Sequence, residues 1–140
     1  MAIFGLKDFQ QFLVIKQFTN DLCLPVKIIG APIARAESGL ALSSRNGYLS
    51  AIELDQAAHL YRCLIECRLA LESGQKTFDK LAEHAQCHLE SVGFTRDFFK
   101  ICRQDDLQPA TSDDTHLVIV AAAYLGKARL IDNIRLTLTP

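Results

Sequence analysis

Leu42-Ser43-Ser44-Arg45-Asn46 sets two neighbouring hydroxyls beside a guanidinium, in a stretch bounded by Gly39 and Gly47. Hydroxyls, backbone amides and an arginine fork are the groups that bind the oxygens of a triphosphate. A surface loop whose serines cap a helix has the same composition, and the residues alone leave both readings open. A second stretch, Gly5-Leu6-Lys7-Asp8, falls where an apolar strand passes into a helical pattern. Ligands of open α/β sheets bind at the carboxyl ends of strands, and helix N-termini attract anions. A lysine at such a corner adds a mobile positive charge for a phosphate. A plain turn followed by a cap accounts for these residues equally well. Gln11 is either a hydrogen-bonding group for a substrate or the second half of a capping box opened by Asp8.

Other chemistry-bearing residues are discounted on spacing. His84 and His88 stand four apart on a helical pattern, but Ala85 occupies the place where His-Glu-x-x-His needs glutamate, and no third ligand is implied. Cys63 and Cys67 have helical spacing, not the two-residue gap of redox or zinc pairs. The five cysteines are odd in number and spread along the chain, which suits buried reduced thiols of a cytosolic protein. Four scattered histidines imply no Ser-His-Asp arrangement.

The elements that must position these residues can be read from periodicity. Met1–Gly5 reads as the end of a buried strand. Phe9, Phe12, Ile15, Phe18 or Thr19, and Leu22 then recur at three- and four-residue steps. Pro25 stops that helix, and residues 26–30 form a short strand, so the first 30 residues make a βαβ unit of a parallel sheet. Residues 31–49 are irregular. Ser50 and Glu53 form a capping box for a helix from Ala51 to Glu72, with a stripe of Leu54, Ala57, Tyr61, Leu64, Arg68 and Leu71 widened by Ala58, Ile65 and Cys67. A further helix carries Phe78, Leu81, Ala85, Leu89 and Val92, and Gly74 and Gly93 follow the two helices as stops. Strands follow at 98–102, 117–124 and 129–136, the last two joined by a Gly126-Lys127 turn. The fold class is therefore α+β, with two helices and a small antiparallel sheet behind a βαβ remnant.

Composition excludes some functions. Fifteen basic against sixteen acidic residues leave a net charge of −1, which gives no argument for nucleic acid or an anionic membrane. No apolar run approaches the roughly 18 residues of a membrane span, and the expected compartment is the cytoplasm. An isolated βαβ unit leaves one sheet face open, so the chain reads as truncated.

Taken together, three segments resemble the pantothenate synthetase family. Phe4-Gly5-Leu6-Lys7-Asp8-Phe9-Gln10-Gln11 is similar to its Phe-Gly-Glu-Lys-Asp-aromatic-Gln-Gln stretch. Gly39 to Leu49 is similar to its second motif. Leu125-Gly126-Lys127-Ala128-Arg129-Leu130-Ile131-Asp132-Asn133 is similar to its closing Leu-Gly-x-x-Arg-Leu-Ile-Asp-Asn. The resemblance implies a Rossmann-like nucleotidyltransferase domain, of which residues 1–31 are a remnant, and a C-terminal lid domain over 32–140. It implies attack of pantoate on the α-phosphate of ATP, then displacement of AMP by β-alanine. It also implies ATP contacts from Gly5, Leu6, Lys7, Asp8, Ala34, Leu42, Ser43, Ser44 and Arg45, and a pantoate contact from Gln11. Lys7, Ser43, Ser44 and Arg45 take the catalytic roles, with Mg²⁺ carried by the ATP phosphates rather than by a protein cage.

Three departures qualify the resemblance. Leu6 stands where the family has glutamate, Ser38 where it often has an acidic residue, and the sequence contains no His-x-Gly-His. The expectation is a chain that does not form pantoyl adenylate at a useful rate alone. The rival expectation is a non-enzymatic self-association module. Exposed apolar surface on the βαβ unit makes a homodimer the expected assembly on either reading.

Overall fold

A computed structural model describes residues 1–139; Pro140, the last residue of the expected second unit, lies outside them. The parallel βαβ unit is present. Strand β1 (Ala2–Gly5) pairs in parallel with β2 (Ile28–Ala31), Ala2 opposite Ile28 and Gly5 opposite Ala31, and helix α1 (Phe9–Asp21) crosses between them. Strand β2 starts two residues later than expected.

The capping box expected at the start of α1 does not form. Asp8 occupies the N-cap position, but its side chain makes no capping hydrogen bond. The α1 stripe is also narrower than its pattern. Phe9 and Thr19 are buried, the Thr19 hydroxyl donating to the Ile15 carbonyl at 2.8 Å, while Phe18 (53%) and Leu22 stay exposed. Ile3, Val14, Leu24 and Val26 of the same βαβ unit are exposed as well.

Helix α2 (Ala51–Glu72) has the expected bounds. Ser50 Oγ accepts from the Glu53 amide at 3.2 Å and Glu53 Oε1 from the Ser50 amide at 3.0 Å. Its buried residues are Ala57, Leu60, Leu64, Cys67 and Leu71, with Ala58 and Cys63 beside them. That stripe keeps Ala57, Leu64 and Leu71 of the expected one, with Ala58 and Cys67 widening it, and departs at its edge: Leu54 is exposed, and Arg68 is partly exposed beside Glu72. Helix α3 (Phe78–Ser91) and strands β3 (Thr95–Arg103), β4 (His116–Leu125) and β5 (Ala128–Thr137) complete the chain, the strands antiparallel in that order. The Gly126-Lys127 turn joins Leu125 to its partner Ala128. The observed class is α+β.

Strand alternation divides the three-stranded sheet between two cores. Leu117, Ile119, Phe99, Ile101, Leu130 and Leu136 face α2 and α3 and form the main core. Val118 and Cys102 face the other way, onto Leu6 and Phe9. The sheet is thus sandwiched between α1 and the α2–α3 pair. Cys63, Cys67 and Cys102 are buried, and burial pushes the first two thiols up to about 11 and about 12. Cys23 and Cys87 are exposed, which corrects the expectation that all five thiols are buried. No helix among the described residues is long and apolar enough to cross a membrane.

His88 pairs with a residue that the sequence pattern did not bring to it. Its Nε2 lies 3.3 Å from His59 Nδ1, across the α2–α3 contact. Burial, then Arg62 and His88, holds His59 below its ordinary value of 6.5, with Glu66 opposing. The folded chain therefore binds this proton less readily than the unfolded chain. The pair adds stability above that ordinary value and loses it as the pH falls below it. Urea midpoints at about pH 8 and about pH 5.5 check this: the native chain should lose more stability over the interval than His59→Asn does.

Candidate functional site

Site geometry begins at the strand–helix corner. Gly5 ends β1, and the Leu6 amide donates to the Ala31 carbonyl at 2.9 Å, extending the parallel ladder by one bond. The Leu6 side chain is buried against Gly30 and Phe9, so the apolar residue at this position fills a core. Lys7 follows, half-buried, and Asp8 carries the chain into α1, its carbonyl accepting from the Phe12 amide at 3.0 Å. Burial lowers the proton affinity of the Lys7 ammonium from the ordinary lysine value. Asp8 and Asp132 pull it back up, and Arg45 pushes it down.

Residues 31–49 are more ordered than expected. Ala34 and Leu42 face each other across a short ladder, the Leu42 amide donating to the Ala34 carbonyl at 2.8 Å. Arg35 bridges to Ala41, and the Ala36 amide donates to Leu40 at 2.8 Å. At the tip, Gly39 has φ +95°, and a Cβ there would lie 2.5 Å from the Tyr61 ring, so glycine is required on both counts. Beyond the ladder a single 3-10 turn runs from Ser44 to Tyr48. Ser43 Oγ caps it, accepting from the Arg45 amide at 3.2 Å, and Asn46 Nδ2 donates to the Ala41 carbonyl at 3.0 Å. Ser43 thus meets the capping description at the same place where the phosphate description puts it; Ser44 and Arg45 remain exposed.

These pieces meet over β5. Arg45 Nη1 reaches the Arg129 carbonyl at 3.5 Å, and Arg129 itself pairs with Asp97 at 2.8 Å. A cleft of about 310 Å³ is lined by Lys7, Asp8, Gln11, Phe98, Arg129 and Asn133. A much narrower gap is lined by Lys7, Ser43, Asn46, Tyr61, Arg129 and Asp132. Gln11 lines only the cleft and Ser43 only the gap. Lys7, Arg129 and Asp132 line both, so Lys7 is the residue of the first stretch that reaches the gap where Ser43 stands. Ala34 and Leu42 line neither; they hold the ladder from which the Ser43–Arg45 segment projects.

Sequence reasoning passed over Arg35. Its guanidinium donates to Asp132 through Nη1 at 2.6 Å and Nη2 at 2.9 Å, to the Gly39 carbonyl at 3.1 Å, and lies 3.8 Å over the Tyr61 ring. Asn133 Nδ2 donates to the carbonyls of Leu6 at 2.8 Å and Lys7 at 3.0 Å. An Asp-Asn pair set directly between apolar Leu130-Ile131 and Ile134 of β5 was the signal available for these contacts. Among the described residues no group of three His, Cys, Asp or Glu could hold a metal ion.

A scan against protein families matches residues 1–135 to pantoate-beta-alanine ligase. The chain belongs to that family. Pantothenate synthetase of Pseudomonas fluorescens (strain Pf-5) is 48% identical over 138 residues, covering 99% of this chain and 48% of the relative. That of Ectopseudomonas mendocina is 50% identical over 134 residues, covering 96% and 47%. The pantothenate synthetase structure from Thermus thermophilus superposes with TM-score 0.88 at 36% identity, over 95% of this chain and 48% of that one. Pantoate-beta-alanine ligase from Francisella tularensis, solved in complex with beta-gamma ATP and beta-alanine, superposes with TM-score 0.68 at 30% identity, over 94% and 42%. The chain spans about half the length of the curated relatives it matches. The three segments that carry the resemblance thus meet at β5: the third runs into that strand, its Asn133 holds Leu6 and Lys7, and its Asp132 holds Gly39 through Arg35.

Proposed function

We propose that this chain supplies the phosphate-binding side of an ATP-dependent ligase site that joins pantoate to β-alanine. The observation that carries this reading is that Lys7 and Ser43, from two separated motifs, line one gap, with Arg45 close enough for its charge to act on Lys7. Family membership and the ATP complex of the Francisella relative support it. In the reaction, pantoate oxygen attacks the α-phosphorus, pyrophosphate leaves, and the β-alanine amine then displaces AMP from the pantoyl adenylate. Lys7 and Arg45 stabilise charge that develops on the phosphate oxygens, the largest contribution such a site makes. Ser43 and Ser44 donate hydroxyls, Gly5, Leu6, Asp8, Ala34 and Leu42 border the nucleotide, and Gln11 reaches pantoate from the cleft.

Mg²⁺ suits the phosphates better than the protein, because among the described residues a single free carboxylate, Asp8, borders the site and Mg²⁺ keeps most of its waters. It would neutralise phosphate charge when bound. Residues 1–31 and 32–140 act on this reading as a nucleotide-side unit and a lid, the lid carrying Ser43, Ser44 and Arg45 onto ATP. Adenylate formation additionally needs a His-x-Gly-His segment that this sequence does not contain, so the chain alone does not turn over. On this reading the reaction runs in the cytoplasm.

The rival is a self-association module, favoured by the exposed apolar residues Ile3, Val14, Phe18 and Leu22 of the βαβ unit. Calorimetric titration with ATP separates the two. The native chain should bind ATP, and Arg45→Ala should bind it roughly 10- to 100-fold more weakly, the loss of one charge-assisted phosphate contact. No nucleotide binding, with tight dimerisation by light scattering, would favour the rival. A homodimer that also binds ATP is compatible with the ligase reading.

A further inference from the structure

We infer that Asp132 and Asn133 are a positioning pair that holds the two halves of the phosphate site, one half on each face of β5. The inference rests on the ligase reading above for its purpose, but its geometry stands independently.

Successive residues of a strand point to opposite faces. Leu130 and Leu136 place the even positions of β5 in the core under α2 and α3. Asp132 therefore emerges on that side, where its carboxylate receives the Arg35 fork. Arg35 in turn holds the Gly39 carbonyl and stacks on Tyr61, fixing the ladder whose end carries Ser43, Ser44 and Arg45. Asn133 emerges on the opposite face, toward Leu6 and Phe9. Its single amide group donates to two consecutive carbonyls, Leu6 and Lys7, at the corner where β1 hands over to α1. Consecutive carbonyls that point the same way mark a chain reversal held from outside, and here the holder is one side chain.

The two anchors are themselves tied, because Asp132 Oδ1 accepts from the Asn133 amide at 2.8 Å. Both residues are almost fully buried, and their side-chain polar atoms are already engaged by Arg35 and by the Leu6 and Lys7 carbonyls. Each acts through another residue: Asn133 through the Lys7 backbone, Asp132 through Arg35. Leu6 and Asn133 lie 127 positions apart, and Arg35 and Asp132 lie 97 apart. Local structure therefore cannot substitute for either contact. Asp132 also acts on Lys7 directly, since its charge favours the ammonium form.

This arrangement has a signature that a purely structural role lacks. Removing the Asn133 donors frees the corner and lets water reach Lys7, so the Lys7 ammonium should titrate higher, nearer its ordinary value. Replacing Asp132 by asparagine keeps the shape but removes an attractive charge, so Lys7 should titrate lower. The experiment follows the Lys7 side chain by NMR in the native chain, Asn133→Leu and Asp132→Asn, with a thermal melt to establish that each is folded. Calorimetry with ATP forms the second arm, and each variant should bind roughly tenfold more weakly.

Opposite shifts of Lys7 support the inference. Shifts in the same direction, or none in a folded variant, overturn it. Should Asn133→Leu fail to fold, Asn133→Ser, which is smaller and keeps one donor, carries the same test with a smaller upward shift. Absence of ATP binding by the native chain would defeat the ligase reading, while the Lys7 titrations would still decide the positioning of the corner.

Discussion

Arg35→Ala is expected to lower folding stability by about 3–5 kcal/mol, the range for removing one partner of a buried ion pair. The Asp132 side chain is only 2% exposed, against 18% for Arg35. Truncating the arginine leaves a carboxylate inside the protein with one remaining donor, the Asn133 amide at 2.8 Å. The same change removes the bond to the Gly39 carbonyl and the stack on Tyr61, which adds lost packing to lost charge. Arg35→Lys should recover only part of the loss, because an ammonium cannot supply the two parallel bonds of the fork. The double variant Arg35→Ala with Asp132→Ala should be less damaged than the sum of the single changes, since no buried charge is left alone. Urea unfolding of the native chain, Arg35→Ala, Arg35→Lys, Asp132→Ala and the double variant measures all of this. A cost for Arg35→Ala under about 1 kcal/mol would mean that the pair behaves as a surface contact.

The second large effect belongs to the core. Leu64→Ala should cost about 2–5 kcal/mol, the range for a leucine truncated where its neighbours cannot close the void. Leu64 is 0% exposed in the core that includes Leu60, Leu71, Leu117 and Ile119, where a helix meets a sheet. Leu54, on the same helix, is 39% exposed. Leu54→Ala should therefore stay within about 0.5 kcal/mol. The two substitutions remove identical atoms, so the difference between their denaturation midpoints reports packing alone. Equal costs would place the buried face of α2 where its sequence pattern suggested, not where the sheet meets it.

That contrast shows what the sequence could and could not disclose. The bounds of α2 were legible because Ser50, Glu53 and Gly74 signal locally. Its buried face was legible in part: Ala57, Leu64 and Leu71 are buried as expected, but the exposure of Leu54 and the burial of Leu60 and Cys63 were not foreseen, because apolar residues surround the helix and the choice falls to the sheet and α3 that pack on it. Asp8 shows the reverse failure. Its type and its spacing to Gln11 satisfy the capping pattern, yet the corner is held by Asn133 from β5 and the side chain makes no capping bond. The Ser43-Ser44-Arg45 segment was legible as a hydroxyl-and-guanidinium group from composition. That it is a capped 3-10 turn hung from a two-stranded ladder was hidden, since the ladder depends on Arg35 finding Asp132 97 positions away. Family resemblance marked Asp132 and Asn133 as part of a motif without giving them a task.

The two-residue turn between β4 and β5 has a consequence for how this molecule tolerates change. Leu125 pairs with Ala128 across Gly126 and Lys127, and every position of β5 counts outward from that pair. Insertion of a single residue that β5 absorbed by sliding would carry Asp132 toward α1 and Asn133 toward α2, inverting both anchors at once. Two inserted residues would restore the facing of each. The hairpin is thus bound more tightly in its length than in its composition: polar exchanges at Lys127 should pass, whereas single-codon insertions or deletions from Gly126 to Ile131 should not, and lineages of this family should vary here by substitution or in steps of two.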